Sequence, residues 1–255
     1  MRRTLFVGNW KSTKNIKETE DYFRELPQHT AGWKHEVVLM PSFVCLEVAN
    51  RYPLPDIKLG SQEVSHMGTG MISGDIPVST LKTLNVKYAL IGHVDRRAMG
   101  ETNERINAKI KNCLAEGISP ILCIGETLQE YEGNRTREVI DKQLRECLVG
   151  IKNMDNVVIA YQPIWSIGSG HFVNIEFIGL IANYIRKTVI QITGNATSGN
   201  FPLLYGGGPI TPTTAQGFLE TPDIDGLMMT VGSYKPDSLS QIVRTEFTIR
   251  RSNLQ

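Results

Sequence analysis

Short apolar runs recur along the chain, separated by longer amphipathic stretches. The runs are rich in valine, isoleucine, leucine and methionine, and they do not alternate cleanly with polar residues. Continuous apolar runs are typical of strands buried on both faces, as in parallel sheets. The pattern predicts eight such strands, at Thr4–Trp10, Glu36–Pro41, Ile57–Ser61, Tyr88–Gly92, Pro120–Gly125, Val157–Tyr161, Pro202–Tyr205 and Gly226–Thr230.

The stretches between the runs predict helices. Apolar residues recur there at three- to four-residue spacing, which gives a helix one apolar face. Strand–helix alternation without a break in composition predicts one domain over residues 1–255, either a closed barrel or a doubly wound sheet. Eight strands favour the closed parallel (β/α)8 barrel, which commonly uses about 250 residues. The predicted helices are Asn15–Leu26, Glu101–Leu114, Thr136–Leu148, Ile175–Ile192, Thr213–Leu219 and Asp237–Phe247.

The composition excludes several classes of protein. Hydrophobic residues make up 41% of the 255 residues and the formal net charge is +1, so no basic field for nucleic acid is expected. The four cysteines lack metal-ligand or redox spacing, and no G-x-G-x-x-G turn follows the first strand, so neither a metal nor another cofactor is expected. No apolar stretch approaches the length of a signal-peptide core or a membrane span. These features predict a cytoplasmic protein with free thiols and no membrane association.

The stretch Ile159–Gly170, IAYQPIWSIGSG, has the composition of a mobile lid attached to a strand end. Pro163 stiffens the hinge, while Gly168 and Gly170 leave the far end free to fold over. Gln162 lies at the strand tip, directly before the hinge. An amide can hold a substrate, but it cannot take a proton at neutral pH.

Polar residues also follow other predicted strands, at the barrel end where catalytic residues lie. Asn9 and Lys11 follow the first strand, and His93 and Asp95 follow the fourth. Lys11 could neutralise an anionic substrate, and His93 could polarise a carbonyl or shuttle a proton. Taken singly, such a lysine is more often a solvated surface residue, and such a histidine a hydrogen-bonded core residue.

Glycines follow the last two strands. The triple glycine Gly206–Gly208 leaves backbone amides bare at the start of a helix, which suits a phosphate, and Val231 and Gly232 follow the eighth strand. By itself a triple glycine is equally typical of a tight strand-to-helix turn.

Taken together, these segments resemble the triosephosphate isomerase family from end to end. Several motifs in the right order are far more specific than any one of them. The resemblance implies a (β/α)8 barrel, a sugar-phosphate substrate and a homodimer, in which loop 65–75 would enter the partner subunit; that loop could also be an ordinary surface loop. The motifs are GNWKST at Gly8–Thr13, IGHVDRR at Ile91–Arg97, GET at Gly100–Thr102, CIGETLQE at Cys123–Glu130, AYQPIWSIGSG at Ala160–Gly170 and YGGG at Tyr205–Gly208.

The resemblance also implies roles for residues. In the family's scheme a glutamate at the sixth strand tip removes a proton beside a carbonyl, which a neutral histidine polarises. By resemblance, Asn9 and Lys11 would hold the polar end of the substrate, His93 would be the electrophile, and Asp95 would face Lys11. The residues implied for substrate and phosphate binding are Ile167, Gly168, Gly207, Gly208, Val231 and Gly232.

The departures from the family pattern affect residues that the resemblance implies in catalysis and phosphate binding. Gln162 stands where the family has its glutamate base, and Asp95 stands where it has a longer glutamate. Thr230 and Val231 replace two adjacent glycines, and Gly208 replaces a serine. A β-branched side chain at Val231 would hinder the close approach of a phosphate to the backbone. Val94 replaces a polar residue beside His93.

Two functional hypotheses follow. In the first, the protein isomerises a triose phosphate or a related small sugar phosphate, with a rate impaired by Gln162. In the second, it is an inactive or repurposed paralogue that binds a small carbonyl or anionic ligand under the lid. The altered phosphate loops favour the second hypothesis, and the retained Lys11, His93 and lid favour some small-molecule site.

Overall fold

The computed structural model describes residues 2–68, 70, 72–248 and 251, and its strands close into a barrel. Each strand is parallel to its neighbours, and the eighth closes on the first with Leu5 opposite Gly226 and Gly8 opposite Met229. The sequence prediction of a closed (β/α)8 barrel is therefore confirmed. The strands are β1 (Leu5–Asn9), β2 (Glu36–Met40), β3 (Ile57–Ser61), β4 (Val86–Ile91), β5 (Ser119–Ile124), β6 (Val158–Tyr161), β7 (Leu203–Tyr205) and β8 (Gly226–Met229).

Two layers of buried side chains explain the continuous apolar runs. One layer fills the inside of the barrel with residues from the strands, such as Val7, Val38 and Leu90, and the other lies between strands and helices. Because both faces of every strand are covered, the strands show little alternation of polar and apolar residues.

Ten helices surround the barrel in the described part of the chain. The long ones match the predictions within two residues, whereas the last ends at Val243 rather than Phe247. There Arg244 donates to the carbonyls of His29 and Ala31, and Phe247 packs against the ring of His35 instead of continuing the helix. The helices are α1 (Ile16–Glu25), α2 (Phe43–Asn50), α3 (Val78–Thr83), α4 (Val94–Ala98), α5 (Asn103–Ala115), α6 (Leu128–Glu132), α7 (Thr136–Cys147), α8 (Ile175–Thr193), α9 (Ala215–Leu219) and α10 (Pro236–Val243).

A buried ion cluster joins the N-terminal ends of the last strands to α8. Arg186 is fully buried and donates to Asp225, while Arg2 pairs with Asp223 and Asp225. Asp225 also accepts the backbone N–H of Leu203, at the start of β7. Each carboxylate has a cationic partner, which offsets the cost of burying its charge. The cluster fixes one end of the barrel and lies apart from the polar strand tips.

Loop 65–75 is held at its base. The backbone N–H of Ser65 donates to the carbonyl of Ile76 at 2.8 Å, and its hydroxyl donates to Asp75 at 2.8 Å. Thr69 and Met71 lie outside the described residues. Throughout the described ranges, no helix is both long enough and apolar enough to cross a membrane.

Candidate active site

A cavity of about 560 Å³ lies at the C-terminal ends of the strands. Parallel strands in a closed barrel bring their tips together there, so residues far apart in sequence share one wall. Nine of the eleven residues singled out from the sequence line it, whereas Asp95 and Gly207 do not. The nine are Asn9, Lys11, His93, Gln162, Ile167, Gly168, Gly208, Val231 and Gly232.

Lys11 reaches the cavity through an unusual backbone conformation. Its φ is +51°, in the left-handed region that few non-glycine residues adopt. The side chain of Asn9 accepts the N–H of Lys11 at 3.0 Å, and Gln62 donates to the Lys11 carbonyl at 2.7 Å. These two amides hold the strained residue in place. Asn9 and Gln62 therefore position Lys11.

Asp95 acts on the cavity through Lys11. Its carboxylate lies 3.0 Å from the ammonium group of Lys11, so the shorter side chain does reach the lysine. About half of the Asp95 side chain is exposed, so solvent screens this pair. The contact fixes the direction of the lysine more than it contributes to stability.

Helix α4, which carries Asp95, is joined to Glu63 and to α5 by a network of charged side chains. Glu63 contacts Arg96 of α4 and Lys109 of α5, each at 2.5 Å. Lys109 is buried and also bonds to Glu101. Two cations and two carboxylates thus face each other and anchor the helix to its neighbours.

His93 is neutral and lines the cavity. Burial lowers the pKa of His93 to about 4. Its Nδ1 accepts the backbone N–H of Asp95 at 3.2 Å, so the proton of the neutral ring is on Nε2. An N–H donor in this position can polarise a carbonyl oxygen without a charge on the ring.

Gln162 lies where β6 ends, and its amide is poorly satisfied. The side chain is 5% exposed, its Oε1 has no donor among the described residues, and its Nε2 has only a long contact of 3.5 Å to the Gly206 carbonyl. Leaving a buried polar atom unpaired costs about 1–3 kcal/mol. A gap of about 10 Å³ beside it is lined by Val94 and Ile164 together with Arg97 and Cys123.

The backbone of Gln162 is fixed by a close approach to Gly125. Its N–H donates to the Ile124 carbonyl at 2.8 Å, and a Cβ on Gly125 would lie 1.8 Å from the Gln162 carbonyl oxygen. Only glycine fits at residue 125. The backbone from which the Gln162 side chain projects is therefore set by the barrel and not by the lid.

Glu126 follows β5 and is turned away from the cavity. It is fully buried, accepts from the hydroxyl of Tyr161 at 3.1 Å and from the indole of Trp165 at 3.0 Å, and burial raises its pKa. Its carboxylate thus holds the lid hinge through Trp165. No carboxylate is found among the described residues that line the cavity.

The lid begins with a 3-10 turn at Ile164–Ser166. Trp165 stacks on Tyr131 of α6 with ring centroids 4.4 Å apart. The hydroxyl of Ser166 donates to the Pro163 carbonyl at 2.7 Å and accepts the N–H of Gly208 at 3.1 Å. The lid turn is therefore bonded to the glycine loop.

The opposite end of the cavity is formed by the 3-10 turn Val231–Ser233. The first N–H groups of a helical turn have no acceptor within it, which suits an anion. Val231 is 73% exposed and lines the cavity at this point, as does Thr230. Val231 therefore borders this end of the cavity with a largely exposed side chain.

The roles of three residues that shape this site were not predicted from the sequence. Gln62 positions Lys11, Glu126 holds the hinge, and Ser166 joins the lid to the glycine loop. Gln62 and Glu126 both follow predicted strands, which was the available signal. Nothing in the local sequence of Ser166 distinguishes it from other small lid residues.

The arrangement can bind and polarise a small ligand. Lys11 supplies a positive charge, His93 a neutral ring, and Gln162 an amide whose Oε1 has no donor among the described residues. Proton abstraction from carbon needs a basic group within hydrogen-bond reach. The described lining residues offer no ionised carboxylate for that step.

Comparisons with known proteins agree with this geometry. A family model described as triosephosphate isomerase matches residues 4–246. A triosephosphate isomerase of Dictyoglomus thermophilum is 39% identical over 251 residues, covering 96% of this chain and all of the relative. The enzyme of Alkaliphilus metalliredigens is 37% identical over 247 residues, with 95% and 99% covered, and that of Aquifex aeolicus is 34% identical over 247 residues, with 94% and 98% covered.

Proposed function

The chain belongs to the triosephosphate isomerase family, and from that premise we propose that it binds a triose phosphate or a related small sugar phosphate. We further propose that aldose–ketose isomerisation of this ligand is slow. One observation carries the proposal: Gln162 occupies the sixth strand tip of a cavity that keeps Lys11 and a neutral His93.

The proposed mechanism has two parts, polarisation of the substrate carbonyl and removal of a carbon-bound proton. His93 donates from Nε2 to the substrate carbonyl, and Lys11 balances the negative charge that develops on oxygen. Removal of the carbon-bound proton has no side-chain base among the described lining residues, because the Gln162 amide accepts a hydrogen bond but not a proton. Loss of a general base typically costs about 10²–10⁴-fold in rate.

A second candidate is a binding protein without isomerase activity, whose ligand is a small carbonyl compound or anion. The absence of a carboxylate among the described lining residues favours it, because an anionic ligand would meet no like charge there. The exposed Val231 at the phosphate end favours it too, because it narrows the approach to the backbone.

Both candidate functions require a site that binds a small carbonyl compound or anion. Calorimetry with dihydroxyacetone phosphate tests for that site. We expect the native chain and Gln162→Glu to bind this ligand within about tenfold of each other, because the amide and the acid have nearly the same shape. Gln129→Glu, on the exposed face of α6, is the matched control. Absence of binding by the native chain would contradict a sugar-phosphate site.

We also propose a homodimer and a cytoplasmic location. Apolar side chains of Val44, Met67, Ile72 and Met99 are exposed on segments that follow β2, β3 and β4, as expected of a surface that a second copy covers. The four cysteines are buried and unpaired, which is typical of a reducing compartment.

A further inference from the structure

The hydroxyl of Ser166 is the point at which the lid touches the glycine loop. Ser166 is fully buried and is not among the residues that line the cavity. Its single hydrogen is donated to the Pro163 carbonyl at 2.7 Å, so its oxygen can only accept from Gly208, whose N–H lies 3.1 Å away. This hydroxyl therefore serves as an acceptor within the protein.

Gly207 allows the contact to form. A Cβ on Gly207 would lie 2.5 Å from the Ser166 oxygen and 2.8 Å from the hydroxyl of Tyr205. Such distances are too short for a real side chain, so any larger residue would force the lid turn away from the loop. The lid turn and the glycine loop are packed against each other without a gap.

The bond removes one donor from the ligand site. Gly208 lines the cavity, but its N–H donates to Ser166. A backbone N–H forms one good hydrogen bond at a time, because a second acceptor cannot share its favourable direction. An anion at the glycine loop therefore cannot use this N–H while Ser166 holds it.

We propose that Ser166 is a lid-positioning residue that competes with the anionic group of a ligand for the N–H of Gly208. An anion that binds the glycine loop takes this N–H, releases the Ser166 hydroxyl, and thereby displaces the lid turn Ile164–Ser166. The charged acceptor wins the exchange because hydrogen bonds to ionised oxygens are about twice as strong as neutral ones. Anion binding and lid position are thus coupled through one hydrogen bond. This proposal rests on the proposed function only in assuming that the ligand carries a phosphate or another anionic group.

Inorganic phosphate binding to Ser166→Ala tests the competition. We expect the variant to bind phosphate about 2- to 10-fold more tightly than the native chain, because the competing neutral hydrogen bond is gone. Ser169→Ala is the matched control, since the Ser169 hydroxyl lies in the same lid but accepts from His171 instead. Its phosphate affinity should equal that of the native chain.

A second readout follows the Gly208 amide directly. In the ligand-free protein, we expect its hydrogen exchange, measured by NMR, to be faster in Ser166→Ala than in the native chain. A merely structural role for Ser166 predicts weaker phosphate binding on its removal, not tighter binding. Equal or weaker phosphate binding by Ser166→Ala would overturn the proposal.

Failure to bind phosphate in either chain would also overturn it. The proposed function would then be judged separately, by whether the native chain binds dihydroxyacetone phosphate.

Discussion

At the residue scale, the site is a set of positioned donors around an amide. His93 is held neutral at the cavity wall, Lys11 is held by Asn9 and Gln62, and the Gln162 Oε1 has no donor among the described residues. Each of these states follows from burial or from a backbone contact rather than from the lid. The chemistry available therefore depends on which side chain occupies position 162.

The neutral state of His93 predicts a pH dependence of stability. Its pKa is about 4 in the folded chain and about 6.5 when unfolded, so the unfolded state binds a proton first as the pH falls. The contribution of neutral His93 to the free energy of unfolding is fully present above pH 6.5. It falls by roughly 3 kcal/mol as the pH falls toward 4.

Urea unfolding near pH 7.5 and near pH 4 measures this contribution. His93→Gln, which carries no titrating group, should lose less stability on acidification than the native chain, by about that amount. An equal loss in both chains would show that the His93 pKa is not lowered by folding.

At the element scale, the sequence predicted those strands and helices whose apolar residues repeat regularly and are buried. The strands and long helices were predicted because their apolar residues repeat over many positions, as in Ile175–Thr193. Helices α3, α4 and α6 have only five or six residues, too few for a period to show. The contact of Ser166 with Gly208 joins elements 42 residues apart, so no local pattern could predict it.

The turn after β8 predicts an effect on anion affinity. Replacing Thr230 and Val231 together by glycine should clear the approach to the backbone of the Val231–Ser233 turn. We expect phosphoglycolate to bind about tenfold more tightly, which corresponds to one recovered hydrogen bond to a charged group.

Calorimetry on the double variant checks this account. Val149→Gly, at an exposed valine outside the cavity, controls for a general effect of glycine. An unchanged dissociation constant in the double variant would refute the steric role of Val231.

At the scale of the whole molecule, the buried ion cluster and the cavity lie at different ends of the barrel. The buried cluster of Arg2, Arg186, Asp223 and Asp225 fixes one end, and the cavity lies at the other. The sequence predicted that the strand tips would converge, because closure of eight parallel strands brings them to one end. The family resemblance implied that Asp95 would face Lys11. The sequence could not predict that the shorter side chain would reach the lysine, since that depends on the placement of α4.

The exposed apolar side chains predict self-association. We expect the native chain to sediment at the mass of two chains, and Met67→Asp to sediment as a monomer, because a charge would be buried in the contact. Val149→Asp, at an exposed valine of α7's C-terminal flank, should remain a dimer. Native protein that sediments as a monomer at all accessible concentrations would contradict the proposed dimer.

The cavity retains two orienting groups of an isomerase, Lys11 and His93, and no base is found among its described lining residues. The most direct test is the rate of dihydroxyacetone phosphate conversion by the native chain and by Gln162→Glu, with Gln129→Glu as control. We expect a gain of about 10²-fold or more for Gln162→Glu and none for the control. If Gln162→Glu shows no gain, Lys11 and His93 are not arranged for isomerisation, which would contradict the proposed function.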